Sequence, residues 1–225
     1  MKATGLGLLV LFATVLGPIP FVAPGVASAQ KAPPAIKLPR DGFDLIGHEH
    51  GVNVFQNDTS DMLWVGAVGI IPAPVDKVQQ VLLDFEHQVG KIGRLSEAHI
   101  LSRDDDGLYV YERLNLPVID DRDFTARVTY GADGDRRWIT YWSGDDRGPK
   151  PRDGIVRVTR QRGSWDLVPL PGGKGTLARY ELRIDLGGSV PLWMARPHSA
   201  EELPEVFAAV CRLSVPAEQR ATCPE

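Results

Sequence analysis

A short acidic stretch, "IDDRDF" (residues 119–124), places several ionisable side chains directly before a predicted strand. Acid–base catalysis by two carboxylates requires that they face each other across a substrate and that their environments separate their pKa values. Asp121 and Asp123 share one strand face, but Arg122 lies between them and no nucleophile accompanies them. We therefore disfavour catalysis. Arg122 with Asp123 is either a structural ion pair, since a partly buried charge needs a partner, or a polar contact for a ligand headgroup.

Other patterns that could carry chemistry are incomplete. His48 and His50 could share a strand face, but no third metal ligand is identifiable. The turn "PGGKGT" (171–176) lacks the spacing of a phosphate-binding loop, and "GSWDL" (163–167) lacks the nucleophile elbow of serine hydrolases. The sequence thus contains no catalytic motif, and we predict neither a metal nor a cofactor.

Strand patterns dominate the middle of the chain. Apolar runs before residue 72 predict a hairpin that turns at Asn57 and Asp58, and residues 75–85 then show helical spacing. A broken connection with a second short helix follows. The turns "DDDG" (104–107) and "GADGD" (131–135) join pairs of strands, and more strands continue to residue 186. A twisted run of hairpin-connected strands curls, so its concave face needs a cover.

The last segment is the only predicted helix long enough to be that cover. Ser199 and Glu202 predict a capping box at its start, and Pro204 either kinks the helix or marks its beginning. Its apolar positions recur at helical spacing: Leu203, Val206, Phe207, Val210 and Leu213. The pattern predicts an α+β helix-grip fold, a curved antiparallel sheet wrapped around a long C-terminal helix, with two short helices after the first strands.

A curled sheet with one covering helix has more inward positions than the helix can fill, so some side chains must line a pocket. For each aromatic residue the alternative is plain core packing. The candidate ligand-binding residues come from strands, from the acidic stretch and from the last helix with the turn before it: Tyr111, Arg122, Asp123, Trp138, Trp142, Tyr180, Trp193, Val206 and Val210.

The turn before the last helix is rich in glycine and proline and carries an apolar cluster. Such a composition makes a poor rigid wall and a plausible hinge, and local opening uses the least packed elements. We predict that "SVPLWM" (189–194) and the helix start form the gate of the cavity. Arg122 with Asp123 would supply its polar end.

Four stretches resemble the START (steroidogenic-acute-regulatory-protein-related lipid transfer) domains of the helix-grip superfamily. "PAPVDKVQQVLLDF" (72–85) is similar to the first helix of the family, "LPVIDDRDFTARV" (116–128) to its "RDF" strand, and "GSWDLVPL" (163–170) to a strand with a buried tryptophan. Residues 180–213 resemble the last strand, the Gly-and-Pro turn and the C-terminal helix. The resemblance spans about Gly42 to Ser214, and the order and spacing of the four stretches make it specific.

The resemblance implies a lipid or sterol carrier rather than an enzyme. We predict a non-catalytic carrier that holds a hydrophobic ligand, lipid or sterol-like, between the sheet and the C-terminal helix. The alternative is an aromatase or cyclase of the same superfamily that acts on a polyketide-like substrate. That enzyme needs a pocket competent for acid–base chemistry and usually a cytoplasmic partner.

The N-terminus predicts export. Lys2 precedes an uncharged apolar stretch that ends in "ASAQ", the pattern of a secretory signal peptide cleaved after Ala29. The alternative is an uncleaved membrane anchor. We therefore expect a signal peptide over residues 1–29, a linker over 30–41, a START-like lipid-binding domain over 42–215, a tail over 216–225, and a periplasmic or secreted location.

Composition limits the partners of this protein. The 225 residues carry a formal net charge of −4, and the basic residues are scattered among acidic ones. Nucleic acid is not an expected partner because phosphate contacts need a basic face. The expected partner is a hydrophobic small molecule, with possible transient membrane contact.

Cys211 and Cys223 are the only cysteines. One lies in the predicted helix and the other in the tail, and an oxidising compartment would permit their pairing. We predict a disulfide between them. The alternative is a buried thiol and a separate tail cysteine.

Overall fold

The computed structural model describes residues 31–59, 61–117, 119–144, 146–188 and 190–224. The predicted signal peptide, residues 1–29, lies outside them. The described residues form ten strands in one sheet, three α-helices and a short 3-10 helix at Ala217–Thr222. The strands are β1 (Asp44–Glu49), β2 (Val52–Gln56), β3 (Leu63–Ile71), β4 (Leu95–Asp104), β5 (Gly107–Leu114), β6 (Asp121–Asp133), β7 (Arg136–Ser143), β8 (Ile155–Arg157), β9 (Gln161–Pro169) and β10 (Thr176–Ile184). The helices are α1 (Val75–Leu83), α2 (Phe85–Gln88) and α3 (Leu192–Ser214).

The sheet runs in the order β1-β2-β3-β10-β9-β7-β6-β5-β4. These neighbours pair antiparallel, which confirms the predicted α+β helix-grip fold. The connection through α1 and α2 carries the chain from β3 to β4, at the far edge of the sheet. The curved sheet therefore has one face that α3 can cover.

The eighth strand differs from the predicted meander. β8 is only three residues long and pairs in parallel with the start of β6, where β7 does not pair. The chain then continues into β9, which pairs with β7. The segment between β7 and β9 is thus free to cross the outer face of the sheet.

Helix α3 begins earlier than the sequence predicts. It starts at Leu192, directly after Pro191, so Ser199 lies inside the helix and not at a capping position. The helix starts without a side-chain cap at Pro191. Within it, Ala200 packs on β1, where a Cβ at Gly47 would lie only 3.3 Å from the Cβ of Ala200. Pro204 also lies inside α3 and leaves one backbone acceptor of the preceding turn without its donor.

The C-terminal end of α3 is pinned. Cys211 and Cys223 form a disulfide with a Cα–Cα distance of 5.7 Å, which confirms the predicted pairing. Both cysteines are buried in the same apolar core as Phe207 and Val210. No helix among the described residues is long and apolar enough to cross a membrane.

The segment before β1 packs on the outer face of the sheet. The backbone N–H of Ile36 donates to Oδ2 of Asp166 over 3.0 Å, and Arg40 pairs with Glu181 at 2.7 Å. Leu38 lies over Gly66, where a Cβ would come within 2.5 Å of its Cδ1. Most of the predicted linker is therefore held against β3, β9 and β10.

Candidate ligand-binding site

A chamber of about 260 Å³ lies between the inner face of the sheet and α3. Its wall is mostly apolar and is built from α1, α2, the connection to β4, strands β5 to β10 other than β8, and α3. The apolar lining side chains are Leu82, Phe85, Ile92, Leu95, Leu114, Leu116, Phe124, Val128, Ile139, Trp165, Leu182, Ile184, Leu203 and Val206. Such a wall suits a ligand that binds mainly by burial of apolar surface.

Strand alternation places three polar side chains on this wall. Glu112 of β5, Tyr141 of β7 and Tyr180 of β10 all point inward, since their sequence neighbours point to the outer face. The hydroxyls of Tyr141 and Tyr180 lie 2.7 Å apart and share a hydrogen bond. The ring of Tyr180 rests on Trp165, which in turn packs on Phe207 of α3, with ring centroids 4.7 and 5.2 Å apart. The tyrosine pair is therefore held in place by the covering helix.

The chamber shifts the pKa values of these groups. Desolvation raises the pKa of Glu112 from 4.5 to about 7. Desolvation, and secondarily the charge of Glu112, raises the pKa of Tyr180 to about 12 despite the opposing effect of its hydrogen bond to Tyr141. Burial, followed by the influence of Tyr180, raises the pKa of Tyr141 well above 10. At neutral pH both tyrosine hydroxyls are therefore protonated, so one donates to the other and the second can still donate to a ligand, while Glu112 is close to its midpoint.

Two glutamines also face the chamber. Nε2 of Gln88 donates to the carbonyl oxygens of Val81 and Leu82, over 2.8 and 3.1 Å, and so fixes the α1–α2 corner. Oε1 of Gln161 is buried and accepts no hydrogen bond among the described residues. Since buried acceptors are nearly always satisfied, Gln161 can accept a hydrogen bond from a ligand.

A charged groove of about 320 Å³, called here the vestibule, lies next to the chamber beside α3. Gly93, Arg94 and Glu202 belong to both spaces. Nε of Arg94 lies 3.2 Å from Oε1 of Glu202 and bridges the two sides. Residues 90–94, called here the mouth loop, therefore separate the apolar chamber from the polar vestibule. Among the described residues, no three His, Cys, Asp or Glu side chains come together to hold a metal ion.

Two of the nine predicted ligand-binding residues line the chamber. Tyr180 and Val206 face it directly. Val210, one turn after Val206 on α3, is fully buried in the core and lies outside the chamber wall. The spacing of the helix therefore predicts its apolar face correctly, while the chamber covers only part of that face.

The structure places Tyr111 and Asp123 on the outer face of the sheet, away from the chamber. The hydroxyl of Tyr111 donates to Oδ2 of Asp123 over 3.1 Å, and Nε of Arg157 donates to Oδ1 of Asp123 over 2.6 Å. The chain between β7 and β9 covers this pair, so both residues are almost completely buried. Asp123 is therefore part of a structural ion pair, but its partner is Arg157, and the predicted pairing of Asp123 with Arg122 is wrong. The predicted polar end of the cavity lies instead at Glu112.

Arg122 lies at the start of β6 and does not line the chamber. Its guanidinium donates to the carbonyl oxygens of Asp120, Leu186 and Gly187, the last two over 3.2 and 3.4 Å. Asp121, the other carboxylate of the acidic stretch, pairs separately with Arg113. The two carboxylates thus face different partners and do not form an acid–base pair.

The predicted tryptophans also lie outside the chamber. Trp138 is buried on the outer face against Gly131, where a Cβ would meet its ring at 2.8 Å. Trp142 shares that face and is 42% exposed, and Trp193 in the first turn of α3 is 71% exposed. The predicted gate segment begins with Ser189, which lies outside the described residues.

Sequence reasoning missed Glu112, Tyr141, Gln161 and Trp165. The sequence does contain a signal that could have identified Glu112. Leu108, Val110, Glu112 and Leu114 alternate on one strand face, and an acid on an otherwise apolar face indicates a buried functional carboxylate.

A curved antiparallel sheet that grips a C-terminal helix around an apolar chamber defines a helix-grip protein with an internal cavity. No family model matches the sequence. The chain is similar to an uncharacterized protein of Pseudomonas aeruginosa, with 25% identity over 158 residues that cover 69% of this chain and 78% of that protein.

Solved structures define the fold more closely. A STAR-related lipid transfer protein fragment from Xanthomonas axonopodis superposes with a TM-score of 0.69 at 25% identity, covering 77% of this chain and 99% of that one. Human STARD10 gives a TM-score of 0.69 at 18% identity, covering 83% and 85%. Human StAR-related lipid transfer protein 5 gives 0.64 at 16% identity, covering 77% and 86%. The chain therefore has the START fold of the helix-grip superfamily, which confirms the resemblance found in its sequence.

Proposed function

We propose that this protein is an exported, non-catalytic carrier that encloses a hydrophobic ligand, a lipid or sterol-like molecule, in the chamber beneath α3. The observation that carries the proposal is the chamber itself, an apolar wall with one small group of hydrogen-bonding side chains. A few placed polar groups in an apolar cavity fix the orientation of a ligand, while the apolar wall supplies most of the affinity. The solved lipid transfer proteins of the same fold support the proposal.

The polar group also indicates the ligand's chemistry. One hydroxyl of the Tyr141–Tyr180 pair can donate a hydrogen bond to a ligand while the other donates within the pair, and Glu112 can accept one when it is ionised. A charged carboxylate on the ligand would meet Glu112 and be repelled as pH rises above about 7. A hydroxyl-bearing apolar ligand fits this wall better than a fatty acid anion.

The tyrosines favour binding over catalysis. Their raised pKa values keep the hydroxyls protonated at neutral pH, so they make weak acids for proton transfer. One observation favours the alternative, an aromatase or cyclase type of activity on a polyketide-like substrate. Glu112 has a pKa near the operating pH of most enzymes, as a general acid or base requires.

Two features support export to a periplasmic or secreted location. The disulfide between Cys211 and Cys223 suits an oxidising compartment, and the N-terminal sequence has the pattern of a signal peptide cleaved after Ala29. A carrier also needs transient contact with donor and acceptor membranes.

The proposal is tested by native mass spectrometry of the mature protein purified from the cell envelope, followed by solvent extraction. We expect one hydrophobic molecule per chain, lost after denaturation. Val206→Trp should fill the chamber and abolish the bound mass, whereas Ile70→Trp, at a 57% exposed position on the outer face, should retain it. Wild-type protein that carries no ligand and takes up neither lipid nor the neutral dye Nile red would contradict the carrier function.

The alternative is tested on the extracted molecule. If Glu112 performs acid–base chemistry, Glu112→Gln should accumulate a substrate that differs in mass from the molecule in the wild type. A carrier should yield the same molecule from both proteins.

A further inference from the structure

The size of the chamber indicates that one of its walls must move. Its volume of about 260 Å³ lies below the roughly 300–1,000 Å³ of cavities that enclose drug-sized ligands. A lipid-sized ligand therefore requires that the chamber widen, and an enclosed ligand needs a route in and out.

Helix α3 is the anchored wall. The disulfide between Cys211 and Cys223 ties its last turns to the 3-10 helix, and Phe207 and Val210 are buried in the core beneath it. Near its middle, Ala200 is in close contact with Gly47 of β1. Moving α3 away from the sheet would expose Phe207 and Val210 and break the contact between Ala200 and Gly47, while the disulfide keeps the end of the helix in one piece with the tail.

The mouth loop is the part of the chamber wall whose backbone can rotate most easily. Gly90 and Gly93 have φ values of +70° and +51°, the left-handed region that glycine enters without strain, and they flank Lys91 and Ile92. Backbone hydrogen bonds hold the loop at both ends: the N–H groups of Lys91 and Ile92 donate to the carbonyl oxygen of Gln88 over 2.9 and 3.1 Å, and the N–H of Asn115 donates to the carbonyl oxygen of Arg94 over 2.9 Å. Rotation at the two glycines would swing Ile92 out of the chamber wall.

One ion pair connects this loop to the helix. Among the described residues, Arg94–Glu202 is the polar side-chain link between the mouth loop and α3, with side chains 49% and 42% exposed. Exposed ion pairs contribute modestly to stability, so such a link can hold a loop closed and still open readily. Below it, a Cβ at Gly93 would lie 3.6 Å from Cγ2 of Val206, so the closed loop rests on the chamber-facing side of α3.

We infer that the ligand enters and leaves between the mouth loop and α3, and that the Arg94–Glu202 ion pair is the latch of this entrance. The inference rests on the proposed carrier function, and it replaces the gate predicted at the start of α3. The vestibule lies outside the latch. It carries charges of both signs, from Lys91 and Arg212 and from Glu201 and Glu205, and so receives the polar end of an arriving ligand.

The test separates exchange rates from binding. Full-length mature protein is loaded with Nile red, mixed with excess phosphatidylcholine vesicles in a stopped-flow instrument, and followed by dye fluorescence. Arg94→Glu should speed release by about fivefold or more, since it removes an exposed ion pair and adds repulsion to Glu202. The exchanged pair, Arg94→Glu with Glu202→Arg, should return the rate to within about twofold of wild type.

The matched control is Arg183→Glu, which breaks another exposed ion pair, that with Asp61 at 3.1 Å, on the outer face of the sheet. Its release rate should equal that of the wild type. Should Arg94→Glu fold poorly, as judged by circular dichroism, Glu202→Gln removes the same link without charge reversal and should still speed release.

The outcomes distinguish the latch from the carrier function. Normal equilibrium binding with wild-type release rates in Arg94→Glu and Glu202→Gln would overturn the latch alone. Faster release from Trp193→Ala, with none from the Arg94 variants, would place the entrance at the start of α3. Absence of dye and lipid binding by the wild type would overturn the carrier function and the latch together.

Discussion

Tyr111 and Glu112 are consecutive residues of β5, yet they point to opposite faces of the sheet and meet opposite electrostatic surroundings. On the outer face, the hydroxyl of Tyr111 donates to Asp123 and accepts a hydrogen bond from Arg152, while Arg157 neutralises Asp123. On the inner face, Glu112 has no ion-pair or hydrogen-bond partner among the described residues. One strand thus carries a saturated polar cluster on one side and an unsatisfied acid on the other.

The two faces differ in whether a desolvated charge has a partner. A buried charge is costly unless it is paired and hydrogen-bonded, and the cluster around Asp123 meets that requirement with its own side chains. Glu112 is desolvated by the chamber wall and has no compensating partner, which is why its pKa rises to about 7. An uncompensated acid beside two tyrosine hydroxyls in an apolar chamber is available to a ligand, whereas the saturated cluster is not.

Breaking the outer cluster should have the largest effect. Asp123→Ala leaves the half-buried Arg157 and the buried Tyr111 without their carboxylate, and removal of one partner of a buried ion pair costs about 3–5 kcal/mol of the free energy of unfolding. Urea denaturation followed by tryptophan fluorescence measures it. Ligand binding by the remaining folded protein should be unchanged, and a loss below about 1 kcal/mol would show that the pair is not structural.

The inner acid should make stability depend on pH. The folded pKa of Glu112 is raised to about 7 above its ordinary 4.5, so between these values the native state holds a proton that the unfolded state releases. The free energy of unfolding then falls as pH rises through this window, by up to about 3 kcal/mol. Denaturation of ligand-free protein from pH 4 to 8 measures the slope.

Glu112→Gln is the control, because it keeps the shape of the side chain and removes its titration. Its stability should fall less steeply with pH than that of the wild type over the same window. Equal slopes for the two proteins would mean that Glu112 is solvated or paired when the chamber is empty.

The tyrosine pair should contribute less. Tyr180→Phe removes one partner of the Tyr141–Tyr180 hydrogen bond, a change expected to cost about 0.5–1.5 kcal/mol of the free energy of unfolding. It should also weaken binding of a hydroxyl-bearing ligand. The control is Tyr109→Phe on the outer face, whose hydroxyl makes no hydrogen bond among the described residues, and which should leave stability and binding unchanged. Equal losses from the two variants would remove the tyrosine pair from the site.

The sequence predicts the strands and helices better than it predicts which face of each strand points into the chamber. Turn residues and helical spacing locate the hairpins and α3, and two cysteines in a chain with a predicted signal peptide predict the disulfide. Alternation correctly separates Tyr111 from Glu112, but it does not say which set faces inward. Both faces of β5 are buried, because the chain between β7 and β9 covers the outer one with Pro149, Arg152 and Arg157. In the sequence, buried aromatic residues of the outer face, such as Trp138, therefore look the same as residues that line the chamber.

The start of α3 was also beyond local signals. Ser199 has the chemistry of a capping residue, yet the helix begins earlier, at Leu192 directly after Pro191. The mouth loop has a local signal, two glycines around Ile92, but its role depends on Arg94 meeting a residue more than 100 positions away. Only the fold brings these two segments together.

The smallest effect should come from an ion pair that resembles the outer cluster in chemistry but not in burial. Asp61 pairs with Arg183 at 3.1 Å and with Arg160 at 3.8 Å, and its side chain is 70% exposed. Exposed pairs gain little because water already solvates both charges, so Asp61→Ala should cost no more than about 1 kcal/mol of the free energy of unfolding. That loss should shrink in high salt, which screens exposed charges, whereas the loss in Asp123→Ala should persist. A cost for Asp61→Ala equal to that of Asp123→Ala would show that the pairing of charges, rather than their burial, sets the stability of the outer face.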